Sequence, residues 1–279
     1  MSFPILQSRF ADLHEYQQKQ IEGVAQGLAV GTIVPILINP LEKINTRLQV
    51  SAVKEPFFKA LFQNPFKGLP VAVTNSVSKN IFLFGLIPCY RQLTERVITD
   101  QSHAKITADA FSALTLSYLL SPFQIMKARL YTQDNKNAVE IYRDIPKGRK
   151  IKTLLSGSST TALKYTFYYP FFFFTADRLA KKLEGTPVPA NATAGSIAGL
   201  GSAFFTYPLD LMAKKQKCCT TPATLFHIAS NIYSESGCRG YFNGFAKASL
   251  PRFAIAGAAT QTIISSISHT LNEWKKTKV

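Results

Sequence analysis

Charge-free and charge-rich stretches alternate along the chain. Gly23 to Leu41 carries no charged side chain, Pro70 to Cys89 carries only Lys79, and Ile106 to Met126 only Asp109. Leu154 to Ala176 carries only Lys164, Val188 to Leu209 none, and Phe245 to Leu271 has Lys247 and Arg252 near its start. Each stretch runs for roughly 20 residues, enough to cross a bilayer as a helix. Ser, Thr, Gly and Asn recur in all of them, so none is uniformly apolar. The pattern predicts an all-α membrane protein with six transmembrane helices. The soluble alternative would have to bury six such helices in one modest domain.

The connections alternate too. Residues 41–68, 123–153 and 210–244 are long, and 89–105 and 177–187 are short. Residues 41–68, 123–156 and 209–243 hold 17 Lys+Arg against 7 acids; the termini and short connections hold 11 against 8. Basic loops are retained on the side of origin. The long connections therefore share one side, and an even number of spans puts both termini on the other. Over 279 residues the net charge is +16, although only 17% of residues are charged. A nucleic-acid-binding protein would explain the basicity but not six charge-poor segments, so no nucleic acid partner is expected. Asp12, His14 and Glu15 stand where a signal peptide would have its apolar core, so no cleavable leader is expected.

Three windows in register carry the strongest signal: Asn39-Pro40-Leu41-Glu42-Lys43-Ile44-Asn45-Thr46-Arg47, Ser121-Pro122-Phe123-Gln124-Ile125-Met126-Lys127-Ala128-Arg129, and Tyr207-Pro208-Leu209-Asp210-Leu211-Met212-Ala213-Lys214-Lys215. The prolines are 82 and 86 residues apart. Each window is followed by a loop ending in glycine: Phe66-Lys67-Gly68, Leu155-Ser156-Gly157 and Phe242-Asn243-Gly244. Such a period, with two apolar segments per unit, marks a triplicated unit. Proline removes a backbone donor, so Pro40, Pro122 and Pro208 are expected to kink their helices. Gly23, Gly27 and Gly31 form one small-residue stripe, and Gly195 and Gly199 a second; both allow close helix approach.

Over residues 20–272 these motifs resemble the mitochondrial carrier family, marked by a threefold Pro-x-acid-x-x-base-x-base and a later aromatic-base-Gly. The resemblance implies a threefold pseudo-symmetric bundle with short surface helices between each pair of spans, in repeats 1–105, 106–187 and 188–279. It also implies a monomer in the mitochondrial inner membrane with lipid partners, cardiolipin among them. A divergent, pathogen-encoded, nucleotide-carrier-like member would sit in host mitochondria. In the family, the acid of one repeat pairs with the base of the next and closes the matrix side. Carried over, Glu42 pairs with Lys127, Gln124 faces Ala213 with no ion pair, and Asp210 faces Asn45 with at most a hydrogen bond. Lys43 and Lys214 adjoin the vacated positions but point about 100° away. On the cytoplasmic side, Tyr90-Arg91 has no acid, Asp177 has Lys181, and Ile264 and Ile267 have nothing to pair. An outer gate this light would cost little to open and would loosen the antiport expected of the family.

Lys79, Lys164 and Arg252 lie one per unit, 11, 7 and 8 residues after the loop glycines. A cation at membrane depth normally faces water, a partner or a solute. With no acid inside these spans except Asp109, the three are expected to stand uncompensated and to favour an anion. The family's substrate contacts fall seven residues after each glycine, at Asn75, Lys164 and Pro251. Pro251 offers no binding side chain, so Arg252 takes its place. Tyr165 completes the expected set, although adenine-nucleotide carriers usually show glycine and an aliphatic residue where Lys164-Tyr165 stands.

The chain has no phosphate-binding loop, nucleophile elbow or metal-ligand cluster, so no enzyme activity, cofactor or metal is expected. The expected function is alternating-access transport of a small anionic metabolite, a nucleotide or other phosphorylated solute first. A carboxylate or phosphate carrier and a transport-inactive scaffold are the alternatives.

Overall fold

A computed structural model of the chain describes residues 4–50, 57–133, 135–184, 189–219 and 223–277. Helix follows helix, with no strand among the described residues: α1 (Pro4–Val50), α2 (Phe57–Phe62), α3 (Leu69–Glu95), α4 (Gln101–Leu119), α5 (Ser121–Thr132), α6 (Ala138–Arg143), α7 (Lys150–Leu154), α8 (Ser158–Leu183), α9 (Ala190–Cys218), α10 (Leu225–Ser236) and α11 (Leu250–Thr277). α1 packs on α3, α3 on α4, α4 on α8, α8 on α9, α9 on α11 and α11 back on α1. The long helices thus close a ring. The short helices α2, α6, α7 and α10 lie in the long connections.

Repetition is visible in the backbone. Gly68, Gly157 and Gly244 all take left-handed conformations, with φ of 77°, 73° and 80°, just before α3, α8 and the π-helical turn that leads into α11. Glycine reaches that region without a Cβ clash, which explains why each loop ends in one. The residue before each motif proline ties its helix to the loop ahead of that glycine. Asn39 Nδ2 donates to Pro65 O at 2.7 Å, Ser121 Oγ to Leu154 O at 2.7 Å, and Tyr207 OH to Asn243 O at 2.5 Å. Sequence reading passed over these three because the residue types differ. The prolines are less alike. Helix α4 stops at Leu119 and α5 begins beside Pro122, whereas α1 runs through Pro40 and α9 through Pro208.

The glycine stripes sit at the tightest crossings. A Cβ on Gly31 would meet Val77 Cα at 2.5 Å, and one on Gly27 would meet Ile81 N at 2.7 Å. Gly195 lies against the backbone of Gly257, and Gly199 faces Phe253 O. Gly257, the partner in the second crossing, carried no motif of its own in the sequence.

Buried polar groups mix with apolar ones inside the ring, and large apolar side chains stand exposed on its outside. Asn39, Lys43, Asn45, Thr46 and Gln49 of α1 are all buried, while Leu37, Phe167 and Phe205 are exposed. Contiguous exposed apolar surface marks a membrane or partner contact. By length and hydropathy alone, one described helical stretch, Ile21–Val50, suffices to cross a membrane, with mean hydropathy 1.7 in its best window. Among the described residues the other expected spans fall short by that measure, with Ser, Thr, Asn and Gly recurring in all of them.

Candidate functional site

A cavity of about 200 Å³ lies inside the ring, lined by α1, α3, α5, α8, α9 and α11. Its wall carries Lys79, Lys127, Lys164, Lys214, Lys217 and Arg252, against the two carboxylates of Glu42 and Asp210. All of these reach the cavity from the halves of the helices that hold the proline motifs and the post-glycine turns.

Two carboxylate clusters and one neutral contact tie α1, α5 and α9 to neighbouring helices. Lys127 Nζ on α5 lies 2.8 Å from Glu42 Oε1 on α1, the pair that the family resemblance implied. Arg252 NH1 on α11 approaches the same oxygen at 3.5 Å. Asp210 on α9 is held by Lys164 of α8 at 3.0 Å and by Lys214 at 2.9 Å. Gln124 Oε1 accepts from Lys217 Nζ at 2.7 Å, and the same ammonium donates to Thr161 Oγ1 at 2.7 Å.

Four sequence expectations are corrected by this geometry. Gln124 does not go without a cation: Lys217, one turn beyond Ala213, reaches it. Asp210 does not look to Asn45, whose Oδ1 accepts from Ser249 Oγ at 2.6 Å. Lys214 does not point away from the acid, since it follows Asp210 by four residues, the spacing at which helical side chains meet. Lys164 and Arg252 are not uncompensated, because Lys164 crosses from α8 to Asp210 on α9 and Arg252 from α11 to Glu42 on α1. Lys43 does turn aside, donating to Gln63 O and Asn64 O at 2.7 and 3.1 Å.

Lys79 is the exception among the three in-span cations. It lines the cavity with no hydrogen-bond or ion-pair partner among the described residues. Asn75, one turn before it on α3, is buried and also lines the cavity, and its Oδ1 finds no partner there. Lys164 Nζ sits 4.0 Å above the Tyr165 ring, within cation–π range. Tyr165 stacks on Tyr169 with centroids 5.0 Å apart, and Tyr168 meets Tyr169 edge-on at 5.5 Å. The aromatic run of α8 therefore divides by helix face. Tyr165, Tyr168, Tyr169, Phe172 and Phe173 line the cavity, whereas Phe171 and Phe174 are exposed on the outside.

Arginines tie α1 to α5, and α5 to the end of α9, through backbone carbonyls. Arg47 Nε donates to Tyr131 O at 2.8 Å, and Arg129 Nε and NH2 donate to Lys217 O at 3.2 Å and Cys219 O at 3.1 Å. The third position, Lys215, instead lies 3.8 Å from Glu235.

At the opposite end of the ring the expected gate has different members. Asp177 and Lys181 are exposed, and no ion pair joins them among the described residues. Arg91, read as lacking an acid, lies 3.4 Å from Asp109 on α4. Its partner was hidden because the acid comes from the next helix, α4, 18 residues along the chain. Ser268 of α11 donates to Glu22 at 2.7 Å and accepts from Gln26 at 3.0 Å, tying α11 to α1.

Comparison with known proteins agrees with the motif reading. The family model described as "Mitochondrial carrier protein" matches residues 184–274. "Mitochondrial substrate carrier family protein Z" of Dictyostelium discoideum is 25% identical over 259 residues, covering 78% of this chain and 82% of the relative. "Probable mitochondrial 2-oxodicarboxylate carrier" of Schizosaccharomyces pombe is 24% identical, covering 68% and 72%. "Mitochondrial basic amino acids transporter" of Bos taurus is 22% identical, covering 88% and 91%.

Proposed function

Since the chain belongs to the mitochondrial carrier family, whose members are multi-pass proteins of the mitochondrial inner membrane, we propose that it carries a small anionic solute across that membrane by alternating access. The three units 1–105, 106–187 and 188–279 then act as pseudo-symmetric repeats, and α1, α3, α4 with α5, α8, α9 and α11 as the six spans. The observation that carries the choice of an anion is the cavity's charge, six cationic side chains against two carboxylates. A basic amino acid, named for one relative, bears the charge this wall already holds in excess. A 2-oxodicarboxylate, named for another, bears the opposite one.

Lys79 is the solute's first anchor in this reading, because it need not break an ion pair to receive a ligand. Asn75 supplies an unused acceptor beside it, and Tyr165, held between Lys164 and Tyr169, belongs to the aromatic wall. A phosphorylated solute with a planar ring, such as a nucleotide, fits the combination of clustered cations and aromatic wall. Glu42, Lys127, Asp210, Gln124 and Asn45 form the matrix-side closure, with Pro40, Pro122 and Pro208 at the ends of the spans. Asp177 and Lys181 are left to pair only when the opposite end closes.

Uptake into liposomes by the purified protein tests this, with labelled nucleotide, phosphate, dicarboxylate and lysine in parallel. Saturable uptake of an anion, lost in Lys79→Ala, is the expected result. Uptake of lysine alone would overturn the anionic assignment, and no uptake by folded protein would favour a transport-inactive scaffold.

A further inference from the structure

The seams α3–α4 and α8–α9 occupy comparable places in the ring, yet they are bonded at opposite ends. On α3–α4 three polar contacts gather away from the proline motifs. Tyr90 OH and Thr115 Oγ1 lie 2.8 Å apart, Arg91 NH2 lies 3.4 Å from Asp109 Oδ1, and Thr94 Oγ1 donates to Ala104 O at 3.0 Å. Just below them Leu83 and Ile87 of α3 pack with Ala113 and Leu116 of α4. On α8–α9 the contacts gather at the proline-motif end, where Thr160 Oγ1 donates to Gln216 Oε1 at 2.6 Å and Lys164 meets Asp210. The other half of that seam is packed by Phe172, Ala176 and Ala198. The Asp109 side chain is only 3% exposed, and the residues lining the cavity include none from α4. Contact with the solute therefore does not account for an acid buried there.

From this asymmetry we infer that Asp109 is a positioning residue: with Arg91 and its neighbours it fixes α3 to α4 as a strut that stays closed throughout alternating access, while the apolar half of α8–α9 slides. The inference rests on the transport reading given above. Drawing α3 away from α4 would strip a buried carboxylate of its cation inside the span, which is expensive. It would also break the Tyr90–Thr115 and Thr94–Ala104 contacts together, so the looseness of the ion pair at 3.4 Å does not make the seam weak. Phe172, Ala176 and Ala198 hold their seam by burial alone, which is non-directional and survives a shear of one helix along the other. Three similar motifs thus drive a motion that is not threefold at this end of the ring. Arg91 acts there as a fixed tie to α4 rather than as a charge that changes partners.

The test uses the full-length protein in liposomes, with Cys89, Cys218, Cys219 and Cys238 replaced by alanine and labelled ATP, phosphate and succinate as probes. One variant carries Thr94→Cys with Ala104→Cys on the α3–α4 seam, the other Ala176→Cys with Ala198→Cys on α8–α9. Each pair is joined by a short bifunctional thiol reagent, and uptake is compared before and after joining. The expected result is uptake within about twofold across the α3–α4 link and a loss of about tenfold or more across the α8–α9 link. Uptake kept at both seams, lost at both, or lost only at α3–α4 would overturn the strut and leave the transport reading standing. A second measurement needs neither transport nor the cysteine variants: hydrogen exchange of wild type and Asp109→Asn in detergent. Faster exchange in residues 87–95 and 104–112, with 190–200 unchanged, is expected. No change, or a uniform rise along the chain, would overturn the strut. If folded wild type takes up none of the probes, the transport reading falls and takes with it a strut that serves transport, whatever the exchange shows.

Discussion

Lys127 Nζ and Glu42 Oε1 lie 2.8 Å apart across 85 residues of chain, joining the first proline motif, on α1, to the second, on α5. Both side chains are largely shielded, at 18% and 14% exposure. Removing one partner of such a pair leaves an uncompensated buried charge, at a cost of about 3–5 kcal/mol. Glu42→Gln should therefore lower the melting temperature in detergent more than Glu42→Gln, Lys127→Met together. Equal losses in the single and double variants would show that the pair does not hold the two units.

Gln124 stands where the first and third motifs carry an acid, and it already accepts from Lys217 at 2.7 Å. Gln124→Glu converts that neutral contact into an ion pair with no change of reach. The expected outcome is a melting temperature raised by a few degrees and slower uptake into liposomes, because closure on that side becomes harder to open. Faster uptake in this variant would argue against a gating role for the position.

At the α1–α3 crossing, a Cβ on Gly31 would approach the Val77 backbone to 2.5 Å. Backbone cannot move aside as a flexible side chain can, so Gly31→Val should separate the two helices and cost about 1–3 kcal/mol or more. Gly148 has open space around it and serves as a control, with Gly148→Ala expected to be neutral. Thermal unfolding of the two variants compares them directly.

Arg129 donates to two carbonyls near the end of α9, those of Lys217 and Cys219. Its buried guanidinium does this through separate nitrogens, a geometry lysine cannot copy. Arg129→Lys is expected to destabilise the protein by about 1–3 kcal/mol and to raise hydrogen exchange in residues 215–219. Unchanged exchange there would remove Arg129 as a seam clamp.

The three loop glycines and their left-handed turns were legible in the sequence from local spacing, and the Glu42–Lys127 contact from the family resemblance that pairs the acid of one motif with the base of the next. The proline recurs at each motif while its acid and base are kept only in part, and the loop glycines mark where the backbone must turn left-handed. The charge balance inside the ring was not legible. Lys164 and Arg252 looked uncompensated because nothing acidic lies near them in their own apolar stretches; their carboxylates, Asp210 and Glu42, come from helices 46 and 210 residues away. Lys217 was missed as the partner of Gln124 because it lies one turn past the motif position. Side-chain reach, rather than motif register, decided that contact. Arg91 likewise found Asp109 only when α3 and α4 were laid side by side. A sequence repeat determines which groups arrive at the end of each helix. Which cation meets which anion is decided by helix packing, since a charge taken out of water must find the nearest opposite one wherever the chain brings it.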